Sequence, residues 1–291
     1  MKLATDDSAI RIEGDLLEEC QKIVLEIADD VAAVCEANGI NYTLGGGTAL
    51  GAVRHQGMIP WDDDIDLNLF RGDYDRFLRA FGERFGDRYW IHTPEKTKNY
   101  GLLFIQIRKK GTVMRGREDV GVDECGIGID VFPYENTYDG KVLRTMHGIL
   151  CMGMKFALSC RKTWANRELN LRLVKDNPEA KKAVMFKCVL GALFSPFSVD
   201  AWTHGTIRCC KMCKNNQSHY VVIPSGRKQF FGEIYDRKET ADTRFVPFQG
   251  REYRLTNAFD GYLRKLYGDY MQIPPPEKRE HHVVFELSFG D

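Results

Sequence analysis

With 291 residues, 43% of them hydrophobic, the chain is long and apolar enough to bury a large core, which excludes a disordered segment. Lys and Arg number 41 against 41 Asp and Glu, so no overall field draws the protein to nucleic acid or an anionic membrane, and any attraction to phosphate has to be local. The nine cysteines are odd in number and the opening "MKLATDDSAIRIEGD" has no apolar stretch of signal-peptide length, which points to free thiols in a reducing, cytoplasmic setting.

In chain order, residues 15–40 show apolar spacing of a helix that Asn38-Gly39 stops. "NYTLGGG", residues 41–47, reads as a short strand ending in glycines, and residues 48–55 as a short helix with Thr48 near its start. "DIDLNLF", residues 64–70, alternates as a strand does, and a helix follows over 73–86. "RYWIHT", "GLLFIQIRKK", "GTVMRG" and "GIGIDVFPYE" read as further strands. Residues 141–213 are mostly helical, with breaks near Asn177-Pro178 and Ser195-Pro196, and the tail is mixed. The apolar run over 146–160 is interrupted by His147 and Lys155 and falls short of the roughly 20 residues that span a bilayer, so it predicts a core or interface helix, with membrane-surface contact left open. "CCKMC" lacks a second ligand pair for zinc and reads as helix packing.

The segment "WDDDIDLNLF" places Asp62, Asp63, Asp64 and Asp66 within five positions ahead of Leu67 and Leu69. On a strand, Asp64 and Asp66 share a face about 6–7 Å apart, and two like charges there call for a cation between them. Carboxylate oxygens suit Mg²⁺ or Mn²⁺. A calcium loop is excluded because its glycine and closing glutamate positions hold Leu67 and Asp73; a solvated acidic turn remains the plain alternative. Asp63 faces away from Asp64 and reads as a turn residue, while Asp62 is placed to join a metal through water. Upstream, "LGGGTALGAVRH" is a strand, a glycine turn and a helix start, the arrangement that offers N–H groups to phosphate. Downstream, Asp130 sits between Ile129 and Val131 in a second buried strand, where a lone charge is costly. Three carboxylates facing a glycine turn make a site for metal-bound phosphate.

The long motif from Gly45 to Phe77, with "GIGIDVFPYE" and "YLRKLYGDYMQIPPPEKREHH", resembles the LicD family of phosphotransferases, related to fukutin and fukutin-related protein. The resemblance implies an α/β (α+β) fold with a nucleotidyltransferase-type mixed sheet core and a helical insertion. It implies one catalytic domain over 1–291, with the core in 14–135, a mainly helical region in 139–215 and a C-terminal mixed segment in 216–291. It further implies transfer of a phospho-alcohol, typically phosphocholine from CDP-choline, onto a glycan or lipid-linked glycan hydroxyl with release of CMP, as in lipopolysaccharide or teichoic acid biosynthesis. The expected setting is cytoplasmic, at or near the inner face of a membrane, with no nucleic-acid partner. The family pattern falls on Gly46, Gly47 and Thr48 for substrate, on Asp64 and Asp66 for the metal pair (two Mg²⁺ or Mn²⁺ ions), and on Asp130 as ligand or general base. Arg54, Arg108 and Lys109 are the candidate phosphate contacts, and His281 or His282 a lid residue. An aromatic enclosure for choline is sought among Trp61, Trp90, Tyr100, Phe132 and Tyr134. Two other classes stand: a nucleotidyltransferase using an NTP, and a non-catalytic binder on the same fold.

Overall fold

The computed structural model describes residues 10–119, 122–279 and 282–290. Helix α1 (Asp15–Ala37) turns Val24, Ile27 and Val31 inward and ends at Asn38, with Gly39 at φ +60°. Strand β1 (Tyr42–Leu44) runs into helix α2 (Gly46–His55), which begins at Gly46, two residues ahead of the sequence expectation. Strand β2 (Asp66–Phe70) leads straight into α3 (Arg71–Phe85), followed by β3 (Tyr89–His92), β4 (Ile105–Lys109), β5 (Val113–Gly116) and β6 (Gly128–Asn136).

The helical region holds α4 (Lys141–Ala165), α5 (Arg167–Leu173), α6 (Pro178–Leu193) and α7 (Val199–Cys210). Asn177 caps α6 through the Ala180 N–H, with Pro178 in the first turn, so the Asn177-Pro178 break is a helix start. The chain closes with β7 (Tyr220–Val222), α8 (Gln229–Gly232), β8 (Ile234–Asp236), α9 (Arg237–Ala241), the hairpin β9 (Thr243–Phe248) and β10 (Arg251–Thr256), α10 (Phe259–Tyr267) and β11 (Val284–Ser288). No helix among the described residues is long and apolar enough to cross a membrane.

The fold is mixed α/β. The main sheet has the order β1-β2-β6-β4-β3, with β7 and β8 added at the far end of β6, and β2 and β6 are its parallel pair. Alternation gives the sheet two chemically different faces. Leu67 and Leu69, Ile105 and Ile107, and Ile129 and Val131 belong to the buried core with Ile27 and Val31 of α1 and Phe77 and Phe81 of α3. Asp66, Asn68, Asp130 and Phe132 line a cleft instead. Strand β5 pairs with β11 in a separate two-stranded sheet, so the C-terminal end returns to the first half of the chain.

Candidate functional site

The cleft has a volume of about 540 Å³ and is walled on one side by α2 and the acidic segment, on the other by residues of 223–282. Asp66 and Asp130 are directly opposed in the parallel β2–β6 register. Asp64 precedes the regular strand: after Gly45 the neighbouring chain leaves β1 for α2, so residue 64 has no ladder partner on that side. It reaches the cleft from the extended approach.

The glycine turn fits itself around Asp66. Gly46 has φ +44°, and a Cβ there would lie 2.4 Å from Asp66 Oδ2, so only glycine lets this carboxylate sit against the start of α2. The Gly46 N–H donates to the Tyr262 hydroxyl at 2.8 Å, and the Asp66 N–H donates to Thr48 Oγ1 at 2.8 Å. Thr48 is thus buried and holds the strand, while Gly46 and Gly47 line the cleft.

Charge is concentrated here. Burial pushes Asp62 up to about 7, with Asp64 and Asp63 adding to it. Asp66 is raised well above the carboxylate range, by burial first and then by Asp64 and Asp130; Asp64 is raised by burial. Burial also takes Asp130 to about 7, against the pull of a 2.9 Å hydrogen bond from Gln106 Nε2. Among the described residues, no basic side chain lies within ion-pair distance of Asp62, Asp66 or Asp130, although these three share one cleft with Asp63 and Asp64. Oxygen donors crowded this way, each disfavoured as an anion, fit a hard divalent cation.

Asp63 departs from the turn-residue reading. It is buried, with Oδ1 2.6 Å from His282 Nδ1, and the other ring nitrogen of His282 lies 3.9 Å from Asp64 Oδ2. The Asp63 hydrogen bond, followed by Asp64, holds His282 above the ordinary imidazole range. Asp63, Asp64 and His282 bring one potential ligand atom each within 4.8 Å of one another. The predicted trio Asp64, Asp66 and Asp130 shares the cleft without meeting that tight criterion. His281 lies outside the described residues.

The candidate phosphate contacts separate. Arg54 lines the cleft, but its Nη1 donates to the carbonyls of Tyr270 at 2.9 Å and Gln272 at 3.2 Å, clamping the C-terminal segment onto α2. Arg108 and Lys109 are not in the cleft lining. Arg108 pairs with Asp119 at 2.8 Å and donates to Gln106 Oε1 at 2.8 Å, which orients the Gln106 amide toward Asp130. Lys109 points to the other face and meets Glu26 of α1 at 2.6 Å. Besides Arg54, the cleft lining holds Arg227, Lys278 and Arg279, all C-terminal to the strands that sequence reasoning searched. Of the aromatic candidates, Trp61 and Phe132 line it and Trp90, Tyr100 and Tyr134 do not; Tyr262, Tyr267 and Tyr270 join them. Arg279 lies over the Trp61 ring at 4.0 Å from its centroid.

The strand, the glycine turn against a carboxylate and the parallel strand bearing a second opposed acid all fall within a stretch that matches a known sequence family. Residues 39–147 fit the sequence profile described as LicD/FKTN/FKRP, nucleotidyltransferase domain. The chain carries a LicD-family domain. It is 28% identical over 288 residues, 93% of this chain and 97% of the relative, to the lipopolysaccharide cholinephosphotransferase LicD of Haemophilus influenzae. It is 46% identical over 72 residues to the ribitol 5-phosphate transferase FKRP of Mus musculus, a match covering 24% of this chain and 15% of that protein. A 46% match over 54 residues joins it to the Homo sapiens FKRP, covering 11% of that protein. The LicD domain contains α2, β2 and β6, and so every acid of the cluster; Arg227, Tyr262, Lys278, Arg279 and His282 lie beyond it.

Proposed function

We propose that the protein is a metal-dependent phosphotransferase that moves a phospho-alcohol, phosphocholine from CDP-choline in the leading case, onto a glycan hydroxyl and releases CMP. The observation that carries this reading is the set of half-buried acids Asp64, Asp66 and Asp130 in one cleft, of which Asp66 and Asp130 have no basic side chain within ion-pair distance among the described residues. Relatives named for cholinephosphate and ribitol 5-phosphate transfer support the class of group transferred. The catalytic unit combines the core of 14–135 with the C-terminal segment of 216–291, because the cleft takes walls from both, and the helical region of 139–215 links them in one chain.

Asp64 and Asp66 would hold Mg²⁺ or Mn²⁺, with Asp130 or the Asp63–His282 pair completing the shell. Such ions, one or two, neutralise phosphoryl oxygens and polarise the attacking and departing ones. The chain's own residues then divide the remaining work. Gly46 and Gly47 let the donor approach the start of α2, and Arg227, Lys278 and Arg279 meet its phosphates. Trp61 already presents a ring face to a cation, a surface suited to a quaternary ammonium. Gln106, fixed by Arg108, aims Asp130 into the cleft, where it accepts the acceptor's proton or a cation.

Incubation with CDP-choline, CDP-ribitol, CDP-glycerol and CTP, with mass spectrometry of the released products, tests the proposal. CMP release from a CDP-linked donor, stopped by EDTA and restored by Mg²⁺ or Mn²⁺, is expected. Pyrophosphate from CTP would instead establish the nucleotidyltransferase, and no metal-dependent nucleotide binding would establish the non-catalytic binder.

All nine cysteines are unpaired thiols, consistent with work in the cytoplasm. The helical region supplies a way to stay at the membrane's inner face. Val142, Met146, Ile149 and Phe156 of α4 recur at helical spacing and are exposed, as are Met185, Phe186, Val189 and Leu193 of the adjoining α6. Residues 141–213 carry thirteen Lys and Arg against four Asp and Glu in a chain of net charge zero. Apolar side chains beside excess positive charge suit an anionic lipid surface. Co-sedimentation with phosphatidylglycerol vesicles, absent with phosphatidylcholine vesicles and lost in Ile149→Glu, is the expected result; equal recovery with both lipids would remove the electrostatic part of the idea.

A further inference from the structure

A second cavity, of about 370 Å³, lies between α4 and the chain preceding β4. Its size falls in the roughly 300–1,000 Å³ range of ordinary ligand sites. Among the described residues its lining holds four cations, Arg117, Lys155, Lys162 and Lys187, and no Asp or Glu. That is the reverse of the acidic cleft. Three of the four donate only to neutral oxygens: Arg117 Nε to Asn170 Oδ1 at 3.1 Å, Lys155 Nζ to the Pro224 carbonyl at 2.8 Å and Lys187 Nζ to Ser159 Oγ at 3.1 Å. Lys155 and Lys187 are half-buried, where a cation normally finds a carboxylate, and Arg117 is exposed; with neutral oxygens as hydrogen-bond partners, all three leave charge to whatever enters. Burial lowers the Lys155 ammonium's pKa, with Cys210 and Glu233 offsetting part of that, so an arriving anion would gain from restoring it.

The cavity adjoins the acidic cleft. Ser225 lines both, and its buried hydroxyl has no hydrogen-bond partner among the described residues. Phe104, in the lining of the second cavity, packs 4.3 Å centroid to centroid on Phe132, in the lining of the first. Lys155 donates to the Pro224 carbonyl, which joins the cationic wall to the loop that carries Ser225 into the acidic cleft.

We propose that this cavity binds an anionic group, a phosphate or a carboxylate, carried by the saccharide that accepts the transferred phospho-alcohol. The cations hold the anion, Ser159, Thr163 and Asn166 offer hydrogen bonds to sugar hydroxyls, and Ser225 marks the passage through which an acceptor hydroxyl reaches Asp130. Calling the ligand an acceptor rests on the transferase reading; the anion site itself does not.

Calorimetric titration of the full chain with glucose 6-phosphate, glucuronate and glucose, each with and without saturating CMP and Mg²⁺, tests this. One or both anions should bind, more weakly as salt rises, while glucose should not; the two anions tell phosphate from carboxylate. Lys155→Gln and Lys187→Gln should each weaken the anion by about tenfold, with CMP affinity unchanged. Lys187, on a different helix, provides a second variant should Lys155→Gln lose its thermal transition. Absence of binding by both anions, equal affinity in the variants, or displacement of the anion by CMP would overturn the proposal. Failure of CMP to bind while the anion still does would instead overturn the donor reading and leave the anion site standing.

Discussion

Asp66→Asn is expected to lower turnover by at least about 10³-fold while leaving the metal-free protein as stable as the parent or more so. The substitution keeps the side chain's size, so it still fits against Gly46, where no Cβ intrudes, and the backbone N–H bond to Thr48 is untouched. What it removes is a charge that burial, Asp64 and Asp130 all oppose. An aspartate whose folded pKa is raised destabilises the fold once pH exceeds its unfolded value near about 4, and the penalty grows until the folded pKa is passed. In EDTA near pH 8 the Asn variant should therefore melt higher, by a few degrees, and the difference should shrink as pH falls toward 4. With Mg²⁺ the order should invert, because the parent gains from the ion and the variant gains less. Asp64→Asn should cost as much in rate but give a smaller stability gain, since Asp64 already faces His282 at 3.9 Å. Stopped reactions with CDP-choline and thermal melts in EDTA and Mg²⁺ provide both readouts. A near-normal rate in either variant would end the paired-carboxylate account.

The acids were legible because strand alternation is a local rule. "DIDLNLF" and "GIGIDVF" each place a carboxylate between apolar residues, and the parallel register that opposes Asp66 to Asp130 follows from both strands burying their apolar side on α1 and α3. The glycine turn was legible from its run of three glycines, but the positive φ at Gly46 and its close approach to Asp66 were not. The cleft's opposite wall was not. Tyr262, Tyr267, Lys278 and Arg279 come from a tail whose position depends on long-range ties, such as Arg54 to the Tyr270 carbonyl, which leave no periodic signal. The same alternation that located Asp130 could have warned against Lys109, which follows Ile105 and Ile107 onto the helix side and meets Glu26. Arg108 points the other way, but its partner Asp119 sits in a turn that no pattern predicts. His282 is separated from Asp63 by 219 residues, and only the C-terminal part of the family motif pointed to it. On α4, periodicity marked an apolar side without saying what covers it; Met146 and Ile149 are exposed because α6 and α7 pack elsewhere on that helix.

Asp130→Asn should separate the two chemical roles left for that residue. Its carboxyl is raised to about 7 by burial and by Asp64 against the Gln106 hydrogen bond, so near neutral pH it is divided between acid and base forms. As general base it has to be deprotonated, and the parent's rate should climb with pH through about 7. The Asn variant should then lose at least about 10²-fold in the chemical step, keep its affinity for Mn²⁺ and donor, and show no acidic limb in its pH–rate profile. As metal ligand, its loss should instead weaken Mn²⁺ binding, and excess Mn²⁺ should recover part of the rate. Stability supplies a check independent of both. A folded pKa near 7 against an unfolded value near about 4 means the carboxylate's penalty builds as pH rises from 4 to 7 and is complete above that. In EDTA at pH 8 the Asn variant should therefore be more stable than the parent, by up to about 4 kcal/mol, and close to it at pH 4. Gln106, already donating to Oδ1, can donate equally to the carbonyl of an Asn side chain, so no hydrogen bond is lost to confuse the comparison. A variant with the parent's rate, Mn²⁺ affinity, pH profile and pH 8 stability would place Asp130 outside the chemistry and leave Asp63 and His282 to complete the site with Asp64.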